Sequence, residues 1–159
     1  MKMPRRAEIS AGLLAFRRGQ DLEVLLAHPG GPFWAKKDAA AWSVPKGLYD
    51  EDEAPLDAAI REFTEELGVP VPVSPHALLP LGELRQPSGK LLSLWAAEAD
   101  LDPTTVVPGL FTMEWPPRSG RQVELPEIDR VEWYDLDAAS EKLVRGQRPF
   151  LARLREAVT

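Results

Sequence analysis

The 159-residue chain has no cysteine. A disulfide framework, a thiol nucleophile and a thiolate zinc site are therefore excluded. Positive charge is in the minority, with 19 Lys and Arg against 25 Asp and Glu and a formal net charge of −6. That balance argues against non-specific binding to nucleic acid or to an anionic membrane, so neither DNA nor a membrane is an expected partner. No stretch approaches the length of a membrane span, and the opening MKMPRRAEIS lacks the apolar run of a signal peptide. A cytoplasmic location is the expectation that follows. Internal repeats and long low-complexity segments are lacking too. Histidine occurs twice; His28, without a second histidine nearby, reads as structural.

What remains is an ordinary soluble composition, 44% hydrophobic and 28% charged. The length suits one domain over residues 1–159, with enough chain to bury a proper core. Sixteen prolines imply many loops with fixed turns.

The most informative stretch runs from Gly47 to Val69, GLYDEDEAPLDAAIREFTEELGV. Pro55 suits a first helical position, and Gly68 before Val69 and Pro70 supplies the stop. Leu56, Ala59, Ile60, Phe63 and Leu67 recur at helical spacing and make a core stripe about 100° wide. Glu62, Glu65 and Glu66 fill an adjoining arc of about 100°, with the small Ala58 inside it leaving room above. Like charges three and four apart cost a few tenths of a kcal/mol per pair. Anions in the last turns are disfavoured again by the helix dipole. A bound divalent cation reverses both penalties, and carboxylates are the hard ligands that Mg²⁺ or Mn²⁺ prefers. The bland alternative is a solvated face, with Asp57–Arg61 and Arg61–Glu65 as ordinary i,i+4 pairs.

The complete string decides between them. Gly47, Glu53, Arg61, Glu62, Phe63, Glu65, Glu66, Gly68 and Val69 fill the pattern Gly-x5-Glu-x7-Arg-Glu-apolar-x-Glu-Glu-x-Gly-apolar without a departure. This resembles the signature box of the Nudix hydrolases. The resemblance implies an α/β/α sandwich with a mixed central sheet, and a metal site built from Glu62, Glu65 and Glu66. The carbonyl of Gly47 is expected to join the metal shell, and glycine suits that place because it lets the backbone approach closely. Arg61 would orient the carboxylates, and Glu53 would fix the loop or add a metal contact. The implied cofactor is Mg²⁺, with Mn²⁺ as a substitute.

The flanks extend the reading. Apolar runs at 8–16 and 22–27 read as two strands joined by a turn. The Pro- and Gly-rich loop 28–42 holds Trp34, Lys36 and Lys37, either a base-stacking and phosphate-binding group or a core-capping Trp beside solvated lysines. Lys46 stands next to the box, where a phosphate oxygen wants a point charge. After an extended connector at 69–75, residues 77–84 and 91–98 read as strands around a turn carrying Arg85, Gln86 and Lys90. Those three are candidate phosphate or base contacts. The Pro-rich segment 111–130 carries Arg118, a further candidate contact, and Trp115, a second possible stacking platform. Many Nudix proteins take a later carboxylate from this region, and Glu114 and Glu127 are the two candidates here. A short strand at 131–134 and helices at 137–145 and 149–158 close the chain, the last opened by Pro149.

Hydrolysis of a phosphoanhydride needs an acidified water and neutralised oxygen charge, which metal ions supply. By resemblance, the substrate is a nucleoside diphosphate linked to another group. The lead-in Val44-Pro45-Lys46-Gly47 is similar to that of dinucleoside polyphosphate hydrolases. The stretches GGPFWAKKD, WSVPKG, EWPPRSGR and PEIDRVEWYDL together resemble a bacterial branch of nucleoside triphosphate pyrophosphohydrolases. The rival class is a nucleotide-binding sensor module of the same fold, which would usually have lost box carboxylates. Monomer and homodimer are both compatible with the sequence.

Overall fold

The computed structural model describes residues 8–159, so the first part of the opening stretch lies outside the described residues. In chain order the strands are β1 (Ile9–Arg18), β2 (Leu22–Pro29), β3 (Lys46–Tyr49), β4 (Leu79–Arg85), β5 (Leu91–Glu98), β6 (Leu110–Glu114), β7 (Gln122–Pro126) and β8 (Ile128–Asp135). The helices are α1 (Pro55–Leu67), α2 (Leu136–Lys142) and α3 (Pro149–Val158).

β1 is the axis. Its side chains alternate between two covered faces, Ala11, Leu13 and Ala15 to one and Leu14 and Phe16 to the other. A strand covered on both sides has no polar face, which is why its sequence reads as an unbroken apolar run. The main sheet has the order β4-β5-β1-β2-β8. β1 pairs with β5 in parallel and with β2 and β3 antiparallel, so the sheet is mixed. Along one edge β1 changes partner. Its first residues, Ile9–Gly12, meet β3, and its last, Phe16–Arg18, meet β2.

α1 covers the first face with Ala58, Ala59, Phe63 and Leu67, and Leu56 and Ile60 pack at the margin. Burial of a side chain such as Phe63 or Leu67 contributes about 1.5–3 kcal/mol. Ala58, which the sequence reading left open beneath the acidic arc, is instead fully buried. α2 and α3 cover the other face through Leu136, Phe150 and Leu154, around the large buried Trp42. α1 ends at Gly68, whose φ of 66° is left-handed and whose N–H bonds the Thr64 carbonyl. A Cβ there would also overlap the Val107 carbonyl.

Three elements differ from the sequence reading. β3 falls where the sequence shows no strand pattern; it is four residues long and survives by pairing with the first part of β1. The Pro-rich segment contains a separate hairpin, β6–β7, in register from Leu110↔Pro126 to Glu114↔Gln122. α2 stops at Lys142, and a 3-10 turn at Arg145–Gln147 takes the place of its expected last turn. Among the described residues, no helix is long and apolar enough to cross a membrane.

Candidate active site

β3 and α1 position the acidic cluster. Gly12 in β1 lies opposite Lys46, and a Cβ on it would overlap the Pro45 carbonyl. The missing side chain lets the 43–47 segment lie flat on β1. Glycine inside a strand marks such an approach, and the sequence reading did not single Gly12 out. Gly47 faces α1 in turn, and a Cβ there would overlap the carboxylate of Glu62. Beside it, Glu66 Oε2 accepts the backbone N–H of Lys46 at 3.2 Å. Two of the three box carboxylates are thus folded against the start of β3. The third, Glu65, has a side chain 59% exposed against 13% for Glu62.

Arg61 ties the arc together. Its Nε and Nη2 grip both oxygens of Glu53 at 2.8 Å, and Nη1 donates to Glu62 at 2.8 Å and to Glu65 at 3.2 Å. The Asp57 pairing suggested by spacing is replaced by this grip on Glu53, eight residues back in the box loop. Glu53 is held below the usual carboxylate range by its bonds to Arg61. Glu62 moves the other way, since burial outweighs its bond to the same guanidinium. Glu66 is pushed up to about 8, chiefly by burial; the Lys46 N–H and charge oppose this, and Glu62 and Glu127 add to it. A buried acid among acids suits a cation in chemistry and position. Among the described residues no three acidic or histidine side chains are gathered as a ready metal cluster. Arg61 engages Glu62 and Glu65, while Glu66 turns to the Lys46 N–H.

The two candidates for the later carboxylate separate cleanly. Glu127 stands between β7 and β8 at the root of the hairpin. Its N–H donates to the Gly109 carbonyl at 2.8 Å, and its own carbonyl accepts from Gly30 at 2.9 Å. A Cβ on Gly109 would lie 3.4 Å from Glu127 Oε2 and 3.6 Å from the Glu65 carbonyl oxygen, so Gly109 opens the space between β7 and α1. Glu114 is four residues further along β6, about 14 Å at strand rise, and accepts from Gly120 in the hairpin turn. It stabilises that turn and stands away from the box.

The candidate substrate contacts divide in the same manner. Trp34 and Lys36 sit in the loop between β2 and β3, whose first residue, Gly30, bonds the Glu127 carbonyl, and both are exposed. Lys37 Nζ lies 5.0 Å from the Trp34 ring centre, and Phe33 meets Trp115 of the hairpin edge-on at 5.6 Å. Arg85 and Lys90 are elsewhere. Their turn joins β4 and β5, and β5 lies across β1 from β3. There Arg85 donates to the Gly89 carbonyl, Lys90 pairs with Glu8, and Gln86 bonds the Gly146 carbonyl. These contacts hold the turn to its neighbours. Arg118 is exposed at the hairpin tip with a φ of 63°. His28 is fully buried, as its structural reading requires.

A family model described as the NUDIX domain matches residues 7–154. An RNA pyrophosphohydrolase of Hahella chejuensis is 39% identical over 49 residues, 30% of this chain and 30% of that protein. One from Bartonella tribocorum is 61% identical over 28 residues, 18% of this chain and 16% of that protein. The chain thus matches less than a third of the length of these curated relatives. The NUDIX domain of Shewanella oneidensis NrtR, crystallised with ADP ribose, superposes with a TM-score of 0.64 at 18% identity, covering 98% of this chain and 90% of that one. A C. elegans Ap4A hydrolase in a binary complex gives 0.62 at 21% identity, covering 94% and 96%. At these identities the likeness is one of fold.

Proposed function

The chain belongs to the Nudix hydrolase family, and from that premise we propose that it hydrolyses a phosphoanhydride bond, with Mg²⁺, in a nucleoside diphosphate linked to a second group. The observation that carries this is the pairing of Glu66 with the Lys46 N–H and of Glu62 with Gly47, which folds two helix carboxylates onto one strand end. Nucleoside triphosphates and dinucleoside polyphosphates are the substrates we favour. The named activities of the curated relatives add triphosphate-ended RNA to the compounds worth testing.

The donor set fits a hard divalent ion. Glu62, Glu66 and the Gly47 carbonyl would hold it, joined by Glu65 once Arg61 releases that carboxylate. Bound there, the ion would acidify water and neutralise charge on the phosphate oxygens. The protein's own groups do the rest. Arg61, anchored by Glu53, keeps Glu62 and Glu65 aimed along one side of α1. Glu127 Oε2, with its backbone fixed on both sides, takes the proton of the attacking water. Lys46 meets a phosphate oxygen, while Trp34 stacks the base and Lys36 and Lys37 meet the outer phosphates.

The test is product analysis over a panel of dinucleoside polyphosphates, nucleoside triphosphates, ADP-ribose and triphosphate-ended RNA, with Glu66→Gln as the blank. One compound cleaved far faster than the rest, and only by the wild type, supports the reading and names the substrate. Tight metal-dependent nucleotide binding without turnover would support a sensor module instead.

A further inference from the structure

His28 ends β2 as a fully buried side chain, at the point where the pairing of β2 with β8 shifts register. A buried imidazole needs partners for both nitrogens. Nδ1 lies 2.8 Å from Asp129 Oδ1, and Nε2 lies 2.6 Å from the Lys37 carbonyl oxygen. A carbonyl only accepts, so Nε2 donates there. Trp42 closes another side of the ring, edge-on at 5.0 Å between centres.

The two bonds reach different elements. Asp129 stands in β8, two residues beyond Glu127. Lys37 stands in the loop between β2 and β3, whose ends are held separately. At the near end Gly30 N–H bonds the Glu127 carbonyl at 2.9 Å. At the far end Asp38 accepts Trp42 Nε1 at 2.9 Å, and the Ala40 and Ala41 N–H groups bond the carbonyls of Glu141 and Lys142 at 2.9 and 3.0 Å. Between those ends the loop turns on itself, Lys37 N–H to the Trp34 carbonyl at 2.9 Å, and the buried ring beneath takes the Lys37 carbonyl. The Lys37 ammonium lies over Trp34, so the placing of both groups follows that one carbonyl.

We propose that His28 is a positioning residue, which fixes the Trp34–Lys37 part of the loop against β8, just beyond Glu127, and so sets substrate affinity. The proposal rests on the reading above, in which that loop faces the substrate. His28 touches neither substrate nor metal. Its loss therefore raises KM and spares kcat, which loss of a general base does not.

Two readouts test it on the full-length protein. Amide hydrogen exchange over residues 30–41 reads the clamp, and steady-state kinetics on diadenosine tetraphosphate and ATP reads its consequence. His28→Leu is expected to speed exchange in that loop by about tenfold while α1 keeps its protection. KM is expected to rise by about tenfold with kcat within about threefold. His28→Gln, whose amide can still donate to the Lys37 carbonyl, should recover most of both. Asp129→Asn, at a partly exposed position, gives a second variant should the leucine not fold. Unchanged exchange in the loop overturns the clamp. Faster exchange with unchanged KM, or a kcat loss at constant KM, overturns the affinity role. A wild type that cleaves no member of the panel overturns the functional reading and that role with it, while the exchange result still decides whether the clamp exists.

Discussion

At the level of single residues, the site depends on side chains that are absent as much as on those present. Gly47 leaves the space that the Glu62 carboxylate fills. Gly47→Ala is expected to fold, since its surroundings are only half-buried, and to lose about tenfold to a hundredfold in metal affinity, measured by calorimetric titration. The two later carboxylates give a sharper contrast. Glu127→Gln should lower kcat by about a hundredfold or more, and Glu114→Gln should leave it within about twofold; equal losses would contradict the assignment. Glu66 supplies the pH prediction. Its carboxyl moves from an ordinary 4.5 to about 8 on folding, so between those values the folded protein keeps a proton that the unfolded chain releases. The contribution of Glu66 to metal-free stability is therefore fully present below about 4.5 and is lost as pH rises through about 8. Urea midpoints across that range, in the presence of a chelator, should show the fall in wild type and a flatter profile in Glu66→Gln. A midpoint that rose with pH equally in both would contradict it.

At the level of elements, α1 was the most legible part of the chain and the β6–β7 hairpin the least. Helical periodicity, Pro55 and Gly68 together defined α1, and its end is fixed twice over by the left-handed φ and the Val107 carbonyl. Gly68→Ala is accordingly expected to cost about 1–2 kcal/mol from handedness alone, more with the overlap, read as a lower urea midpoint. β3 escaped notice because four residues of mixed polarity carry no period, and its partner in β1 lies more than thirty residues earlier. The hairpin escaped because flanking prolines read as loop, although Leu110–Glu114 alternates in exposure as a one-sided strand does. Without the hairpin, Glu114 and Glu127 looked equivalent. Once Gly109 and Gly30 pin the root, only Glu127 stands near α1. Arg85 and Lys90 illustrate a related limit of local pattern, since a polar turn announces charge but not where the sheet order will carry it.

At the level of the whole molecule, layer architecture followed from pattern alone. Apolar runs in β1 and β2, a one-sided α1 and closing helices leave few arrangements other than a sheet covered on both faces. The loop from Gly30 to Pro45 carries the exposed Trp34, Lys36 and Lys37 and leads into Lys46, whose N–H meets Glu66. Glu66 feels the charges of both Lys46 and Glu127, a juxtaposition that no local reading of sequence reveals. An overall charge of −6 makes a concentrated acidic site costly unless a cation is bound there.

The central claim is that the acidic arc of α1 is a metal site. Thermal melting of wild type, Glu65→Gln and Glu66→Gln, each with and without Mg²⁺ or Mn²⁺, tests it most directly. Metal at a hundred times its dissociation constant stabilises the folded state by about 2.7 kcal/mol. For a chain of this length that is a rise of roughly 5–10 °C in Tm. The account predicts that rise in wild type and its loss in both variants. An equal response to metal in all three proteins, or none in wild type, would contradict it.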